Sequence, residues 1–324
     1  MNSTAIRRAS RAFLGMSHSP LFGLNPIAES DRQFLEQAMA QARAAVRDFA
    51  PELVILLGPD HYNGFFNELM PPFCIGTQAR AVGDYLSPAG PLHVDENAAI
   101  ALASHLMDAH FDMAVSRRME VDHGFSQALQ VLWGDDLQTP PVVPIFLNAV
   151  AQPGIARLAR CRELGEAIGQ FLDQIPRRTL LIGSGGLSHE PPVPTLDHPD
   201  LAVRERITTK RAPTDAEKAA KTERVKAAGM ALARGEGGMK ALNPDWDRRW
   251  MDALAQGDLD RLCHLSEASI AAEAGNSAHE SKTWLVARAA LPHDTALPCT
   301  VREYRAIPEL IAGYGVMFMH SPTP

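Results

Sequence analysis

The sequence predicts an α/β protein with a mixed, mainly parallel central sheet that is flanked by helices. Short apolar runs alternate with longer stretches whose apolar residues recur at helical spacing, a pattern typical of a sheet covered by helices. One of these runs, Leu53–Gly58, is apolar on both faces, as expected for a strand inside a parallel sheet. The chain shows no internal repeat, so we expect one continuous sheet rather than an array of repeated units.

The first predicted elements are a strand at residues 12–16 and a helix that runs from about residue 30 to Ala50. Ser30 and Gln33 fit a capping box at the start of this helix. The apolar residues of the helix fall on one stripe, which consists of Phe34, Leu35, Ala38, Met39, Ala42, Val46 and Phe49. This stripe predicts the face that packs against the sheet.

The middle of the chain continues the same alternation. The predicted elements are, in order, a strand at Leu53–Gly58, a helix near 95–109, a strand near 113–116, a helix near 126–133, a strand at Val142–Leu147, a helix near 156–175 and a strand at 179–182. The last of these strands leads into the glycine-rich stretch 183–188. Together these elements form one unit.

The pattern changes near Pro191, where four prolines within nine residues interrupt regular structure. Residues 207–240 are polar, charged and rich in alanine, which indicates a solvated helical face rather than a nucleic-acid patch. Residues 243–274 and 277–290 are predicted to be helical, and residues 299–319 to form a closing strand and loop. We therefore expect a loose extension at 1–12, a single α/β domain at 13–315 with a helical excursion at about 195–275, and a tail at 316–324.

Charge and composition exclude several classes of protein. The formal net charge is −7, which argues against a surface that binds nucleic acid by neutralising phosphates. The apolar runs fall short of the roughly 18 residues that span a bilayer, and the amino terminus lacks the pattern of a secretory signal. The four cysteines are scattered, which makes a closed zinc site unlikely to form. We expect a cytoplasmic protein that binds neither nucleic acid nor membrane.

Four histidines follow apolar runs in the same way. His18, His61, His123 and His189 each come shortly after a predicted strand. A single histidine in such a place is more often a turn or capping residue, but ligands of α/β sheets bind beyond the carboxyl ends of the strands. Because imidazole titrates near neutrality and is the commonest metal ligand, four histidines at one edge indicate a metal site, acid–base chemistry, or both.

The carboxylate that would complete such a metal site is best supplied by Glu280, next to His279. Ser277 and Glu280 also fit a capping box, which by itself would account for the glutamate. The first turn of a helix favours the ionised carboxylate, which is the form a divalent cation needs. Both interpretations of Glu280 stay open at this stage.

The sequence lacks the common motifs for phosphate binding, dinucleotide binding and a serine nucleophile. The stretch 183–188 is neither a P-loop nor a dinucleotide fingerprint, and neither Ser17 nor Ser184 lies in a G-x-S-x-G elbow. Its glycines indicate a close approach of the backbone to a ligand. The aromatic residues near His61 fit core packing and the wall of a flat apolar pocket equally well.

Assembled, these residues resemble a known family, the class III extradiol ring-cleavage dioxygenases of the protocatechuate 4,5-dioxygenase type. The motifs that carry the resemblance are SHSPL at 17–21, APELV at 50–54, PDHYNGFF at 59–66, MPPFC at 70–74, VDHGF at 121–125, GSGGLSH at 183–189, LNP at 242–244 and HESKTW at 279–284. The resemblance covers nearly the whole chain, with a loose match around residues 195–221.

The resemblance implies a set of site residues. His18, His61 and Glu280 would bind Fe(II), with His123 as proton donor and His189 as proton acceptor. For the substrate pocket the expected residues are Tyr62, Phe65, Phe66 and Phe125. Two histidines and one carboxylate on one face of an iron leave open positions for substrates.

The function that the resemblance implies is Fe(II)-dependent ring cleavage of a catechol by O2. The expected substrates are 2,3-dihydroxyphenylpropionate and 2,3-dihydroxycinnamate, the former giving 2-hydroxy-6-ketonona-2,4-dienedioate, by a homo-oligomeric enzyme. Alternatives are another catechol, such as protocatechuate or gallate, a zinc-dependent hydrolase, or a non-catalytic member of the superfamily. Lys282 and Arg288 are candidates for binding a substrate carboxylate only because they lie close to Glu280 in the sequence, and a surface role is the simpler interpretation of both.

Overall fold

A computed structural model describes residues 9–292 and 297–321 of the chain. The strands in these residues are β1 (Arg11–Met16), β2 (Leu53–Gly58), β3 (Phe73–Gly76), β4 (Ala79–Val82), β5 (Ala89–Pro91), β6 (Ala114–Ser116), β7 (Met119–Val121), β8 (Val142–Leu147), β9 (Thr179–Ser184), β10 (Cys299–Ile307) and β11 (Ala312–His320). The helices are α1 (Glu29–Phe49), α2 (Glu96–Asp108), α3 (His123–Trp133), α4 (Leu158–Leu172), α5 (Leu201–Thr208), α6 (Asp215–Ala233), α7 (Pro244–Gln256), α8 (Leu259–Cys263), α9 (Glu267–Ala274) and α10 (Lys282–Ala289). None of these helices combines the length and apolarity needed to cross a membrane.

The central sheet is mixed, and its middle is parallel. The strand order is β10-β11-β1-β9-β2-β8-β3-β6, in which the four central strands β1, β9, β2 and β8 run parallel to one another. The hairpin of β10 and β11 joins the sheet antiparallel to β1. The predicted fold class is confirmed, and the parallel centre brings the carboxyl ends of β1, β2 and β9 to one edge.

Helices cover both faces of the sheet because its central strands are apolar on both sides. In β2, Leu53, Ile55 and Leu57 face a core that also contains residues of α2, α4, α7 and α10. Val54 and Leu56 face the opposite core, which contains the apolar stripe of α1 and residues of α3. The alternation of side chains along a strand thus divides one apolar run between two helical layers.

A second, smaller sheet lies between β2 and α3 in the chain. It has the order β5-β4-β7, with β4 parallel to β7 and antiparallel to β5. Strands β3, β4, β5 and β7 are not predicted by the sequence pattern, because they have only three or four residues and too little periodicity to distinguish them from loops.

Two predicted helix starts differ from the structure. The capping box at Ser30 and Gln33 is absent: α1 begins at Glu29 after Ala28, which makes no side-chain cap. Helix α3 begins at His123 rather than Ser126, since Asp122 caps it by accepting a hydrogen bond from the Gly124 amide. His123 therefore lies in the first turn of a helix.

The predicted domain boundaries also need correction. The boundary after Gly315 falls inside β11, whose residues pair with both β10 and β1, so residues 316–320 are part of the central sheet. At the other end, Arg11 and Ala12 belong to β1, and the predicted extension at residues 1–8 lies outside the described residues. The predicted helical excursion contains α5 to α9.

Candidate active site

The four histidines and Glu280 meet at the carboxyl edge of the central sheet. His18, His61 and His189 follow β1, β2 and β9, which run parallel and end together. His123 arrives from the second sheet, where it begins α3. Glu280 comes from a 3₁₀ turn over Asn276–Ser281 that immediately precedes α10.

Glu280 is fully buried at the centre of this cluster. Its Oε1 lies 3.0 Å from His61 Nε2 and 3.2 Å from His189 Nε2. Its Oε2 lies 3.3 Å from His18 Nε2 and accepts a 2.9 Å hydrogen bond from the Gly186 amide. The predicted capping box of Ser277 and Glu280 is not formed, since the carboxylate faces the three imidazoles instead. One carboxylate therefore contacts the Nε2 atoms of three histidines.

The glycine-rich stretch after β9 makes this approach possible. A Cβ on Gly185 would lie 2.6 Å from the backbone oxygen of Glu280, and one on Gly186 would lie 2.4 Å from His189 Cε1. A larger residue at position 185 would displace the turn that carries Glu280, and one at position 186 would displace the ring of His189. The sequence predicted that the backbone at these glycines would lie close to a ligand. In the structure it lies close to the turn that carries Glu280 and to the ring of His189.

The outer nitrogens of His18 and His61 are held by side chains behind the cluster. His61 Nδ1 lies 3.0 Å from Asp122 Oδ2, and His18 Nδ1 lies 3.1 Å from Ser184 Oγ. Because an ionised carboxylate only accepts hydrogen bonds, Asp122 requires a proton on His61 Nδ1, and Nε2 is the nitrogen that faces Glu280. This is the arrangement by which outer partners orient histidine ligands of metals.

His123 is held by a residue that the sequence analysis missed. Its Nδ1 lies 2.6 Å from Asp84 Oδ2, and its backbone amide donates to Asp84 Oδ1 at 2.8 Å. Its ring stacks on that of His61 with centroids 4.6 Å apart, and its Nε2 is buried without a hydrogen-bond partner among the described residues. Only the turn signal Gly83-Asp84 marked this position in the sequence, and nothing in it pointed to His123, 39 residues further on.

His189 is fixed from the other side. Its Nδ1 lies 3.0 Å from the carbonyl oxygen of Leu187. The preceding residue, Ser188, donates from its amide and its hydroxyl to the two carboxylate oxygens of Asp247, each at 2.7 Å, and Tyr304 donates to the same carboxylate at 2.6 Å. This network ties the His189 loop to α7 and β10.

The charges of the cluster are strongly coupled. Burial alone would raise the pKa of Glu280, but the neighbouring imidazoles hold it well below its usual range. Burial likewise opposes charge on His61, yet Asp122 and Glu280 hold the pKa of His61 well above its ordinary value. For His18, burial dominates and lowers the pKa to about 3. The cluster therefore combines an ionised carboxylate at Glu280, a charged imidazole at His61 and a neutral imidazole at His18.

These donors fit a divalent metal ion. The ligand atoms of His18, His61 and His123 lie within 4.8 Å of one another, and the Glu280 carboxylate contacts the first two. A second group with the same spacing consists of Asp84, Asp122 and His123. In this second group, Asp84 already orients His123 and Asp122 already orients His61. The donors that face inward are therefore the imidazoles and Glu280. His279 is buried beside Glu280 but does not line the cavity.

A cavity of about 800 Å³ opens onto this cluster. The four histidines lie in its wall together with Tyr62 and Phe66. Other parts of the wall come from residues 19–21, 82–85, 191–194 and 310–311, from Asn63 and Glu120, and from α5, α6 and the segment 210–213 between them. Its size and mixed lining suit a small aromatic ligand.

Two aromatic residues expected in the pocket lie elsewhere. Phe65 stacks on Phe146 with ring centroids 3.8 Å apart, and Phe125 is fully buried in the core between α3 and the sheet. Two basic residues near Glu280 are also displaced from the expected places, since neither is on the surface. Lys282 donates to the carbonyl of Ala156, and Arg288 donates to that of Leu254.

The chain is similar to known proteins over nearly its whole length. Residues 12–317 match the family described as the catalytic LigB subunit of aromatic ring-opening dioxygenase. The chain is 74% identical over 320 residues to a 2,3-dihydroxyphenylpropionate/2,3-dihydroxicinnamic acid 1,2-dioxygenase of Comamonas testosteroni, covering 99% of this chain and 100% of that protein. It is 47% identical over 308 residues to the protein of the same description from Burkholderia vietnamiensis, covering 95% and 96%, and 46% identical over 305 residues to that from a Rhodococcus species, covering 94% and 96%.

The family predicted from the motifs is thereby confirmed. A match over residues 12–317 takes in every strand of the central sheet and all five residues of the cluster. The chain belongs to the LigB family of aromatic ring-opening dioxygenases, and it is an enzyme of the oxidoreductase class.

Proposed function

We propose that this protein catalyses the extradiol cleavage of 2,3-dihydroxyphenylpropionate by O2. The product is 2-hydroxy-6-ketonona-2,4-dienedioate, which contains both atoms of the O2 molecule, so that no further oxidant or reductant is needed. The same pocket would accept 2,3-dihydroxycinnamate. The observation that carries the proposal is the buried Glu280 carboxylate against the Nε2 atoms of His18 and His61. The 74% identical relative, described as acting on these two substrates, supports the choice of substrate.

The proposed metal is Fe(II), held by His18, His61 and Glu280. Two histidines and a carboxylate form the ligand set associated with non-haem Fe(II) oxygenases. When bound, the ion would supply the redox chemistry that joins a catechol to dioxygen. The residues behind the ligands, Asp122 and Ser184, would fix the two imidazoles in the orientation that this set requires.

His189 is proposed to accept a proton from a substrate hydroxyl. Its Nδ1 faces the carbonyl oxygen of Leu187 and therefore carries hydrogen, so Nε2 is the atom that would take the proton once a metal ion holds the Glu280 carboxylate. That atom lies 3.2 Å from Glu280, next to the proposed metal ligands. A base at this place would make the catechol an electron-rich anion.

His123 is proposed to donate a proton at a later step. Asp84 holds its Nδ1, so the proton that can be given up is on Nε2. That atom is buried in the cavity wall and has no partner among the described residues, as expected for a group whose partner is the substrate. Well-placed acid and base groups typically contribute about 10²–10⁴-fold each.

The test is anaerobic loading of the protein with Fe(II), followed by oxygen uptake on addition of 2,3-dihydroxyphenylpropionate. We expect uptake of one O2 per substrate and a yellow ring-fission product. The same protein loaded with Zn(II) should consume no oxygen. Activity with zinc and without oxygen would contradict the proposal and favour a hydrolase. Faster turnover of protocatechuate or gallate would move the proposal to another catechol.

The family resemblance also leads us to propose that the protein forms a homo-oligomer in the cytoplasm. Light scattering coupled to size exclusion should give a mass that is a multiple of the chain mass. Fractionation of the native cells should recover the protein with cytoplasmic markers. A monomer in the first experiment would contradict the proposed assembly.

A further inference from the structure

One basic side chain on α6 projects into the cavity next to a proposed metal ligand. Lys221 lies in the cavity wall, and its Nζ donates to the backbone oxygen of His61 at 3.4 Å. The same ammonium lies 5.9 Å from the ring centroid of Tyr85, which follows Asp84. The side chain is half-buried. Lys221 thus connects the helical excursion with the loops that carry His61 and His123.

Three neighbouring cations in the cavity wall are already paired. Lys210 lies 2.7 Å from Glu120, Lys218 lies 3.6 Å from Asp215, and Arg211 pairs with Glu217. In the part of the chain that the structure describes, Lys221 has no carboxylate within ion-pair distance. Arg206 and Arg224 share this property, but neither donates a hydrogen bond to a residue of the cluster.

The carboxylates of the cavity wall are paired as well. Asp84 holds His123, Glu120 faces Lys210, and Glu217 faces Arg211. The positive charge of Lys221 is therefore not balanced by a neighbour in the described residues. An ammonium has three donors, and Lys221 uses one of them on His61. Two donors remain for a ligand in the cavity.

We propose that Lys221 binds the side-chain carboxylate of the substrate and so selects acidic catechols. The inference rests on the proposed function, because it assumes a catechol ring held at the histidine cluster. In 2,3-dihydroxyphenylpropionate two methylene groups separate the ring from the carboxylate, which must therefore reach a cation close to the ring site. Lys221 satisfies this requirement, since it contacts the backbone of His61 itself. A charge-assisted hydrogen bond between the two would hold the ring in one orientation.

The test compares an acidic with a neutral substrate. The variants Lys221→Met and Lys221→Arg are assayed with 2,3-dihydroxyphenylpropionate and with 3-propylcatechol, which has a methyl group in place of the carboxylate. In Lys221→Met, kcat/KM for the acid should fall about 10- to 100-fold, mainly through KM, while kcat/KM for 3-propylcatechol stays within a few-fold. Lys221→Arg keeps the cation and should recover most of the preference.

Lys226→Met is the matched control. Lys226 lies on the same helix, is also half-buried and pairs with Glu223 at 2.8 Å, but it does not line the cavity. Its substitution should leave the ratio between the two substrates unchanged. An equal loss on both substrates in Lys221→Met, or no loss on either, would overturn the proposal.

A binding measurement separates this inference from the proposed function. Anaerobic calorimetry on the metal-free protein should show weaker binding of 2,3-dihydroxyphenylpropionate to Lys221→Met than to the unmodified chain, with no change for 3-propylcatechol. If the unmodified chain binds the acid but turns over neither catechol, the proposed reaction fails and the binding ratio still decides the role of Lys221. If the unmodified chain binds 2,3-dihydroxyphenylpropionate no more tightly than 3-propylcatechol, the proposed role of Lys221 is wrong, even if turnover occurs.

Discussion

All four histidines of the site use the same nitrogen to anchor themselves. Each Nδ1 faces a partner behind the cluster, and each Nε2 faces inward. The Nδ1 partners are, in chain order, Ser184, Asp122, Asp84 and the carbonyl of Leu187. Because these partners are fixed before any ligand arrives, the inward nitrogens need little rearrangement to bind a metal or transfer a proton.

The proposed division of roles predicts different losses for different histidines. In His123→Ala and His189→Ala we expect bound iron to be retained while turnover falls by about 10²–10⁴-fold. His61→Ala should lose the iron, since it removes a ligand. Metal analysis and oxygen uptake on the same samples measure both quantities. His264→Ala, at an exposed position outside the cavity wall, serves as the control.

Loss of iron from His123→Ala would contradict this division. It would assign His123 to the metal, in the set of His18, His61 and His123 whose ligand atoms also lie close together.

The hydrogen bonds of Asp84 predict a positioning role. In Asp84→Asn the amide can still occupy the site but no longer requires a proton on His123 Nδ1. We expect kcat to fall about 10- to 100-fold with little change in KM and with iron retained. The exposed Asp112, at a distance from the cavity wall, provides the control Asp112→Asn. An unchanged kcat in Asp84→Asn would show that His123 is oriented without it.

At the scale of elements, the site depends on the contact between the turn after β9 and the 3₁₀ turn that carries Glu280. Backbone meets backbone there, because Gly185 has no side chain. The aromatic ring of Trp284 on α10 fits the same surface, where its Nε1 donates to the carbonyl of Gly185 at 3.2 Å. The contact between the two turns therefore fixes the position of the Glu280 carboxylate relative to the histidines.

This contact predicts the effect of a single methyl group. In Gly185→Ala the new Cβ would lie 2.6 Å from Glu280 O, so the turn must shift. We expect a loss of about 1–3 kcal/mol in the free energy of unfolding of the metal-free protein, together with weaker iron binding. Chemical denaturation and metal titration measure the two effects.

Gly165→Ala is the control for a steric clash away from the site. Its Cβ would lie 2.3 Å from Val286 O, on the side of α4 that faces α10, and Gly165 does not line the cavity. It should lower stability without changing the affinity for iron. An equal loss of iron affinity in both variants would mean that the Gly185 contact is not specific to the site.

At the scale of the whole molecule, the last strand completes the sheet that carries the site. β11 lies between β10 and β1, and the amide of Ser17, next to His18, donates to the carbonyl of Gly315 at 2.9 Å. A chain that ends after Gly315 loses Val316, Met317, Phe318 and Met319, all of them buried. Each such side chain contributes roughly 1.5–3 kcal/mol, and together they rival a typical domain stability of about 5–15 kcal/mol.

We therefore expect the chain truncated after Gly315 not to fold. A chain truncated after Ser321 keeps the whole of β11 and is the matched control. Circular dichroism and soluble yield compare the two. A folded, iron-binding chain that ends at Gly315 would show that β11 is dispensable and that the sequence-based boundary was functionally correct.

The sequence by itself determined the features that depend on neighbours along the chain. Apolar runs located β1, β2, β8 and β9 almost to the residue, because a strand buried on both faces has polar residues only at its ends. The rule that parallel strands end at one edge grouped His18, His61 and His189 correctly, whereas His123 reaches the site from β7 of the second sheet. The motifs identified the family, because several of them occur in the same order along one chain.

The tertiary structure alone decided the features that depend on residues far apart in the chain. Asp84 and His123 are 39 residues apart, and Lys221 and His61 are 160 residues apart, so no periodicity connects them. The same holds for Phe65 and Phe125, whose side chains turn into the core although their neighbours His61 and His123 face the cavity. Which way a side chain points depends on the packing of whole layers, and that packing is fixed only when distant segments meet.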